Sequence, residues 1–166
     1  MHRLGRHPKD GGPVRVGQGI DVHPFSDDLS RPLVLGGVRI AETGGLAGHS
    51  DADAVAHALA DAVLGAAGLG DLGDHFPDTD PAWAGADSVE LLRVVVDKAR
   101  AAGFRPVNAD CTVMLEAPKL APHRAAMVAR MSDALGAPVG VKATRPEGLT
   151  PAVLCIAVVL LEPTGG

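Results

Sequence analysis

Three residues in the N-terminal half of the chain have side chains that commonly bind divalent metals: Asp21, His23 and His57. Asp21 and His23 stand two positions apart in a predicted strand, so both side chains point to one face. His57 lies in the middle of a predicted helix. Two nitrogens and one carboxylate leave a fourth position free, which is the pattern of a catalytic zinc site. The same ligand types also suit iron or manganese.

Two carboxylates flank His57 on the same face of its predicted helix. Asp53 precedes it by four residues and Asp61 follows it by four, which is the spacing of side-chain neighbours on a helix. Either carboxylate would be in position to orient the imidazole of a metal ligand. The same spacing also occurs by chance on solvated faces, and for Asp61 the two interpretations have equal weight.

The start of that helix is a candidate phosphate site. Residues 50–53 are SDAD, which resembles an N-terminal capping box with Asp53 in place of the usual Glu. Ser50 would then head the helix, where free N–H groups and the helix dipole favour a phosphate. The nearby pair Gly36-Gly37 is more typical of a turn or bulge, and the glycine spacings match neither a P-loop nor a dinucleotide fingerprint.

Two loop residues further along are candidates for phosphate and cation binding. Lys119 stands between a strand and a helix, where its ammonium group could reach a phosphate, although an isolated lysine of this kind is by default solvated. Glu147 follows another strand, and its carboxylate could hold a hard cation such as Mg²⁺ between phosphates. Taken alone, Glu147 is an ordinary surface glutamate.

The elements that carry these residues follow from hydrophobic periodicity and from Gly, Pro and capping residues. We predict strands at 14–22 (with a bulge), 33–40 (broken at Gly36-Gly37), 107–115, 139–144 and 153–161, and helices at 50–67, 87–103 and 122–136. Residues 71–81 form a polar loop. The fold class is α+β: a single domain with a mixed β-sheet covered by helices on one face, in a ferredoxin-like layer. We expect residues 1–13 to be a disordered tail, 14–162 the domain and 163–166 a C-terminal tail.

Composition limits the class of protein. Hydrophobic residues make up 46% of the 166 residues but aromatic residues only 2%, so the core must consist mainly of Ala, Val and Leu. Such a core buries less area per residue, which favours an oligomer. The net charge of −5 argues against non-specific nucleic-acid binding. We predict no membrane span and no secretory signal, and the two cysteines, Cys111 and Cys155, fit free thiols in the cytoplasm.

Short motifs distributed along the chain together resemble a known enzyme family. They are GQGIDVHPF at 17–25, LGGV at 35–38, GHSDAD at 48–53 followed by His57, GDLG at 70–73, FPDTD at 76–80 and APK at 117–119. In this order and spacing they resemble the 2-C-methyl-D-erythritol 2,4-cyclodiphosphate synthases of isoprenoid precursor synthesis, over about residues 14–161.

The resemblance implies an activity and an assembly. The family converts 4-diphosphocytidyl-2-C-methyl-D-erythritol 2-phosphate to the cyclic 2,4-diphosphate. In this reaction the 2-phosphate attacks the β-phosphorus and CMP leaves. It does so as a homotrimer with active sites between adjacent subunits. A protein nucleophile is not needed, since the transfer is intramolecular and depends on positioning and on charge neutralisation.

The resemblance also implies roles for metal ligands and catalytic residues. Asp21, His23 and His57 would bind Zn²⁺, while Glu147 would hold Mg²⁺ or Mn²⁺ together with the substrate phosphates. His49 would contact phosphate and stabilise the transition state. Arg145, the other expected catalytic residue, departs from the family pattern and would supply donors to the diphosphate in place of a threonine.

Substrate contacts are implied along most of the chain. Asp71 and Gly73 would hold the ribose side, and Phe76 and Asp78 the methylerythritol. Residues 115–121, with Lys119, would form the cytidine pocket of the neighbouring subunit, and Thr144 and Glu147 would lie near the diphosphate. The positions expected to contact substrate are Asp21, His23, Gly48, His49, Ser50, Asp71, Leu72, Gly73, Phe76, Pro77, Asp78, Thr79, Asp80, Leu115, Pro118, Lys119, Leu120, Ala121, Ala143, Thr144, Arg145 and Glu147.

The chain departs from the family pattern near its C-terminus. Arg145 stands where the family often has a second threonine, and it could donate to phosphate as a charged fork or block the pocket. Only Thr150 and Pro151 separate Leu149 from the last strand, where many relatives have a longer Gly-rich segment. Ile156 is apolar where some members are polar, which suggests a more apolar trimer axis. Two alternatives therefore stay open: a weakly active or inactive trimeric homologue that binds ligand, and a metal-dependent phosphoesterase.

Overall fold

Strands make up the centre of residues 12–165, the part of the chain that the computed structural model describes. They are β1 (Arg15–Pro24), β2 (Leu33–Leu35), β3 (Val38–Ala41), β4 (Phe104–Met114), β5 (Val139–Thr144) and β6 (Ala152–Pro163). A four-stranded sheet has the order β1-β6-β4-β5, and β2 pairs with β3 in a separate hairpin. β6 is antiparallel to β1 and β4, whereas β4 and β5 are parallel, which confirms the predicted mixed sheet.

Helices cover one face of this sheet, as predicted. They are α1 (Ala54–Ala67), α2 (Leu72–His75), α3 (Ser88–Ala101) and α4 (Arg124–Leu135). α1 packs against β1 and β6, α3 against α1 and β4, and α4 against β5. Every second side chain of β6 from Val153 to Leu161 faces these helices and is fully buried. Within the described residues, none of the helices has the length and hydropathy needed to cross a bilayer.

The connectivity differs from the expected ferredoxin-like layer. A ferredoxin-like domain follows the order β-α-β-β-α-β. Here the sheet is built as β1, helices α1 to α3, β4, α4, β5 and β6. The parallel pair of β4 and β5 explains the difference, because parallel neighbours need a crossover connection, which α4 provides. The single α+β layer is therefore confirmed, and the ferredoxin-like connectivity is wrong.

Two further predictions about local structure need correction. Residues 33–40 are a hairpin rather than one broken strand, because Gly36 and Gly37 both have positive φ (60° and 69°) and form a two-residue turn between β2 and β3. The predicted polar loop at 71–81 contains α2 and a 3-10 turn at Pro81–Trp83. Of the predicted tails, residues 1–11 and 166 lie outside the described residues, while Pro163 still belongs to β6.

The core has the composition that the sequence requires. Its buried hydrophobic residues are Ala, Val, Leu, Ile, Met and Cys, and no aromatic side chain of residues 12–165 is among them. The opposite face of the sheet is uncovered, and β1 and β6 expose aliphatic side chains on it: Val16, Ile20, Val22 and Val158 are 68%, 53%, 49% and 42% exposed. We call this surface, together with the half-buried Ile156, the open sheet face.

Strand β1 contains glycines where a bulge was predicted, and the bulge is absent. Its pairing with β6 runs without a register shift from Arg15↔Leu161 to Pro24↔Ala152. The glycines instead allow α1 to lie directly on β1. A Cβ at Gly17 would stand 2.7 Å from the Cβ of Ala66, and one at Gly19 would collide with the carbonyl oxygen of Ala58. Close approach of helix and strand is therefore the reason for Gly at these positions.

We expect Gly19→Ala to destabilise the protein by about 2–3 kcal/mol, because the added methyl group forces α1 away from β1. Gly65→Ala is the matched control. A Cβ at this exposed position of α1 meets only Gln18 O, at 4.0 Å, so the substitution should stabilise the helix by up to about 1 kcal/mol. Denaturant unfolding of both variants tests this. Equal stabilities would show that the contact between α1 and β1 does not require glycine.

Candidate active site

Asp21, His23 and His57 meet where α1 crosses β1. Asp21 and His23 lie on the face of β1 that carries Gly17 and Gly19, so they point toward α1, and His57 projects from that helix. His23 Nε2 lies 2.9 Å from Asp21 Oδ2 and 3.3 Å from His57 Nδ1, and His57 Nδ1 lies 3.5 Å from Asp21 Oδ2. The structure thus brings together the two ligands predicted on the strand and the one predicted on the helix. They form the one group of three potential metal ligands found among the described residues, called the cluster below.

The spacing within the cluster fits a four-coordinate metal. Ligands bound at about 2.0–2.1 Å in a tetrahedron stand about 3.3 Å from one another, close to the three distances in the cluster. Asp21 Oδ2 is buried and accepts no well-formed hydrogen bond from the described residues, even though His23 Nε2 is 2.9 Å away. A buried carboxylate oxygen in this state needs a cation or a donor.

The outer nitrogen of His23 is hydrogen-bonded to the backbone. His23 Nδ1 lies 2.7 Å from the carbonyl oxygen of Ala47. Because a carbonyl only accepts, Nδ1 carries the proton and Nε2 keeps a lone pair directed at Asp21 and His57. A backbone acceptor of this kind is the usual way in which a ligating histidine is oriented.

The outer nitrogen of His57 is held by a pair of buried serines. His57 Nε2 lies 2.8 Å from Ser88 Oγ and 3.1 Å from Ser50 Oγ. The Ser88 hydroxyl donates to Asp51 Oδ1, and Ser88 N donates to Asp51 Oδ2 at 3.3 Å. Since the Ser88 proton is directed to the carboxylate, Ser88 Oγ accepts from His57 Nε2–H, which leaves a lone pair on Nδ1. Two imidazole lone pairs and a carboxylate oxygen then converge on one point, which a divalent cation fits.

The carboxylates expected to orient His57 have other partners. Asp53 is the N-cap of α1 and accepts from the N–H groups of Gly36, Gly37, Val55 and Ala56. Asp61 accepts from Leu72 N at 2.7 Å and so ties α2 to α1. The prediction that Asp53 or Asp61 orients the imidazole is therefore wrong. Both carboxylates bind backbone N–H groups, which are the more numerous donors near a helix start.

The predicted helix start at Ser50 is also wrong. Asp53 caps α1, so Ser50 lies outside the helix with its hydroxyl beside His57 and Ser88. Ser88 and Asp51 are the site residues that sequence reasoning missed as partners of His57. Ser88 is thirty-one residues from His57 and Asp51 is thirty-seven from Ser88, so no local pattern connects them. Only the packing of α3 against α1 does so.

The charge state of the cluster favours a cation. Burial would raise the pKa of the Asp21 carboxyl, but the neighbouring His23 and His57 imidazoles outweigh it and lower the pKa to about 2. Asp21 is therefore ionised across the neutral range. The same contact raises the pKa of the His23 imidazole above its ordinary value, against the opposing effect of burial. Without a metal, the site thus attracts a proton to the position that a metal would occupy.

Residues 48–51 lie between the cluster and a nearby cavity. Gly48 packs on His23, because a Cβ there would stand 3.1 Å from His23 Cε1. His49, the expected catalytic histidine, is exposed, and its Nε2 lies 3.3 Å from Asp80 O. It lines a cavity of about 250 Å³ whose other residues are Arg31, Pro32, Val34, Ser50, Asp51 and Gly85.

The segment from 71 to 80 lies beside α1 and forms a series of local caps. Asp71 caps α2 by accepting from Asp74 N at 3.0 Å. Phe76 packs edge-on against Trp83 with ring centroids 4.9 Å apart, and Asp80 accepts from Ala82 N at 2.9 Å. Leu72 is half-buried. The remaining predicted substrate contacts of this segment are exposed, namely Gly73, Pro77, Asp78 and Thr79. Their substrate roles stay predictions.

The predicted cytidine pocket is a cavity of about 260 Å³. β4 and β5 are parallel, so their carboxyl ends meet at one edge of the sheet, with Met114 opposite Thr144. The segments that leave these ends enclose the cavity. It is lined by Leu115, Glu116, Pro118, Lys119, Leu120, Ala121, Ala143, Thr144 and Arg145. Of the range 115–121, only Ala117 is missing, and it lines a different cavity.

Glu147 stands apart from the three-ligand cluster. It is exposed, follows β5 and has a positive φ of 50°. The short segment that follows it contributes Gly148, Thr150 and Pro151 to a cavity of about 510 Å³, which Phe25, Glu116 and Ala117 complete. The cavity lies between the ends of β1 and β4 and the start of β6.

Comparison with known proteins identifies the family. The family model described as the YgbB family matches residues 14–162. The chain belongs to the YgbB family. The 2-C-methyl-D-erythritol 2,4-cyclodiphosphate synthase of Bordetella pertussis is 58% identical over 140 residues, which cover 82% of this chain and 85% of that enzyme. The enzyme of the same name from Salinibacter ruber is 55% identical over 139 residues, covering 82% and 87%. The resemblance found in the sequence motifs is thereby confirmed.

Solved structures of YgbB-family relatives have the same fold. A 2C-methyl-D-erythritol-2,4-cyclodiphosphate synthase in its CDP-bound form is 43% identical, with a TM-score of 0.82 over 89% of this chain and 99% of that one. The bifunctional IspDF from Campylobacter jejuni is 42% identical, with a TM-score of 0.85 over 91% of this chain. This chain spans 42% of the length of that bifunctional protein.

Proposed function

We infer that this YgbB-family protein converts 4-diphosphocytidyl-2-C-methyl-D-erythritol 2-phosphate to 2-C-methyl-D-erythritol 2,4-cyclodiphosphate and CMP, in the non-mevalonate route to isoprenoid precursors. The observation that carries this conclusion is the convergence of Asp21, His23 and His57, together with a buried Asp21 oxygen that accepts no well-formed hydrogen bond from residues 12–165. It is joined by 58% identity to a synthase of this name over most of both chains.

The proposed metal at the cluster is Zn²⁺, held by Asp21, His23 and His57. Bound there with an open position, it supplies a Lewis acid that neutralises charge on a diphosphate oxygen. Glu147, together with substrate phosphates, would hold Mg²⁺ or Mn²⁺. Carboxylate and phosphate oxygens are the ligands these harder cations prefer, and the exposed Glu147 carboxylate is accessible to them.

The protein's own residues position the reacting groups. In the reaction, an oxygen of the 2-phosphate forms a bond to the β-phosphorus, and the bond from that phosphorus to the CMP oxygen breaks. The pocket at the ends of β4 and β5 would hold cytidine, while His49 donates to a phosphate oxygen beside the cluster. Holding both ends of one substrate brings the 2-phosphate to the β-phosphorus, and positioning of this kind supplies much of the catalysis in an intramolecular transfer.

Arg145 is proposed to bind the diphosphate, because it lies at the rim of the cytidine pocket next to Thr144. We expect Arg145→Thr to lower kcat/KM ten- to hundredfold, since a hydrogen bond to a charged group contributes about 1.5–3 kcal/mol. Arg145→Lys keeps the charge but not the planar fork, so its loss should be smaller. Steady-state kinetics of the wild-type protein, Arg145→Thr and Arg145→Lys tests whether the guanidinium binds the diphosphate. A higher kcat/KM in Arg145→Thr would mean that the guanidinium obstructs the pocket.

A homotrimer is proposed as the working assembly. The open sheet face supports it, because four of its aliphatic side chains are at least 42% exposed on one side of the sheet and a soluble protein rarely leaves such a patch uncovered. Adjacent subunits would complete the active site by bringing the cytidine pocket of one to the metal cluster of the next. We further propose a cytoplasmic location, and residues 14–162 as the functional domain between the two terminal tails.

A turnover assay with the cytidine diphosphate substrate, Zn²⁺ and Mg²⁺ tests this function. We expect the cyclic diphosphate and CMP in equal amounts, and loss of both on chelation. A linear hydrolysed product would instead identify a metal-dependent phosphoesterase. Trimeric, zinc-loaded protein without turnover would mean that Arg145 and the short segment after Leu149 have abolished catalysis.

A further inference from the structure

We propose that Ser88 and Asp51 are positioning residues that set the affinity and geometry of the metal centre through His57. This inference rests on the proposed metal centre and goes beyond it, since neither residue is one of the three proposed metal ligands. The two form a chain from the carboxylate to the imidazole: Asp51 accepts from Ser88 Oγ, and Ser88 Oγ accepts from His57 Nε2 at 2.8 Å.

The direction of each hydrogen bond follows from the chemistry of the groups. An ionised carboxylate only accepts, and Asp51 receives two donors from one residue, the hydroxyl and the backbone N–H of Ser88. This double contact fixes the Ser88 hydroxyl with its lone pairs toward His57. The imidazole must then donate from Nε2, and Nδ1 is held as the acceptor that faces Asp21 and His23.

The hydrogen bond between Ser88 and His57 is held in place because both side chains are buried and each residue belongs to a helix. Ser88 is 1% exposed and His57 9% exposed. Ser88 is the first residue of α3, whose N-terminus favours the negative charge of Asp51, and Asp51 N in turn donates to Ala86 O at 3.2 Å. The position of the His57 imidazole therefore depends on where α3 begins as well as on α1.

Ser50 has a different place in this network. Its hydroxyl lies 3.1 Å from His57 Nε2, but it already serves Ala52 N as an acceptor at 3.2 Å, and no carboxylate contacts it among the described residues. Ser50 is therefore a second, longer acceptor for the His57 Nε2 proton, but its hydroxyl is not fixed by a carboxylate as that of Ser88 is. Loss of the Ser88 hydroxyl would leave His57 with a weaker and less oriented partner.

The test is zinc affinity by competition with a chelator, together with the absorption bands of the Co²⁺-substituted protein. We expect Ser88→Ala to weaken zinc binding ten- to hundredfold, as found for outer partners of ligating histidines, and to shift the Co²⁺ bands. Asp51→Asn should act in the same direction with a smaller effect. Ser88→Thr keeps the hydroxyl and should retain wild-type affinity within about threefold.

Ser132→Ala is the matched control, because the hydroxyl of this α4 serine accepts from Val139 N at 3.0 Å and lies outside the metal cluster. Unfolding of the metal-free variants separates a change of fold from a change of site. Wild-type affinity in Ser88→Ala or in Asp51→Asn would overturn the proposal, as would equal losses in Ser88→Ala and Ser88→Thr, which would indicate packing rather than the hydroxyl. Wild-type protein that binds no zinc would contradict the proposed function itself.

Discussion

His57→Ala should abolish stoichiometric zinc binding and lower turnover at least about a hundredfold. The variant removes the one ligand that α1 contributes to the cluster, so only the two ligands of β1 remain. Two protein ligands do not hold zinc in the three-ligand arrangement typical of catalytic sites. Removal of a single electrostatic stabiliser of a transition state costs about 10²–10³ in rate, and loss of the metal removes a larger charge than one hydrogen-bond donor.

Metal content per subunit and kcat, measured on the same preparation, test this expectation. His123→Ala serves as the control, because His123 precedes α4, makes no capping hydrogen bond with its side chain and is not part of the cluster. It should keep both zinc and turnover. Full turnover in metal-free wild-type protein, or unchanged zinc in His57→Ala, would sink the assignment of the cluster as the metal centre.

The ligands of the cluster could be predicted from the sequence because each follows a local rule. Asp21 and His23 share a face through the two-residue period of a strand, and Gly17 and Gly19 continue that face. These glycines allow a helix to pack closely on β1, but the sequence alone does not identify that helix as α1. The convergence of His57 on β1 is thus a tertiary fact, which the ligand types suggested and the family motifs supported.

The partners of the ligands could not be predicted, because they depend on competition between donors. Asp53, Ser50 and Asp51 are all residues that commonly cap helices. Asp53 prevails since the N–H groups of Gly36 and Gly37 also need an acceptor, and only a carboxylate at that position serves both the hairpin and α1. Once Asp53 caps the helix, Ser50 and Asp51 are left free for His57 and Ser88. A single capping choice thus determines the surroundings of the metal site.

Asp53→Ala should destabilise the protein by about 3–5 kcal/mol. The buried carboxylate accepts from four backbone N–H groups, two in the hairpin turn and two in the first turn of α1. Loss of the two helix N–H partners costs about 1 kcal/mol as a lost N-cap, and each of the two hairpin N–H groups left without an acceptor costs about 1–3 kcal/mol more. Burial raises the pKa of this carboxyl against the effect of the donated N–H groups, so its desolvation offsets part of the gain. The expected value therefore lies toward the lower part of the summed range.

Asp87→Ala is the matched control, since Asp87 caps α3 through one hydrogen bond to Val89 N and is exposed. It should cost only about 1 kcal/mol. Urea unfolding of the metal-free proteins gives both values without a contribution from bound zinc. If the two variants lose equal stability, Asp53 acts as an ordinary cap and the hairpin does not depend on it. If Asp53→Ala loses more, as we expect, the variant should also bind zinc more weakly, because the carboxylate that joins the hairpin to α1 fixes where His57 stands.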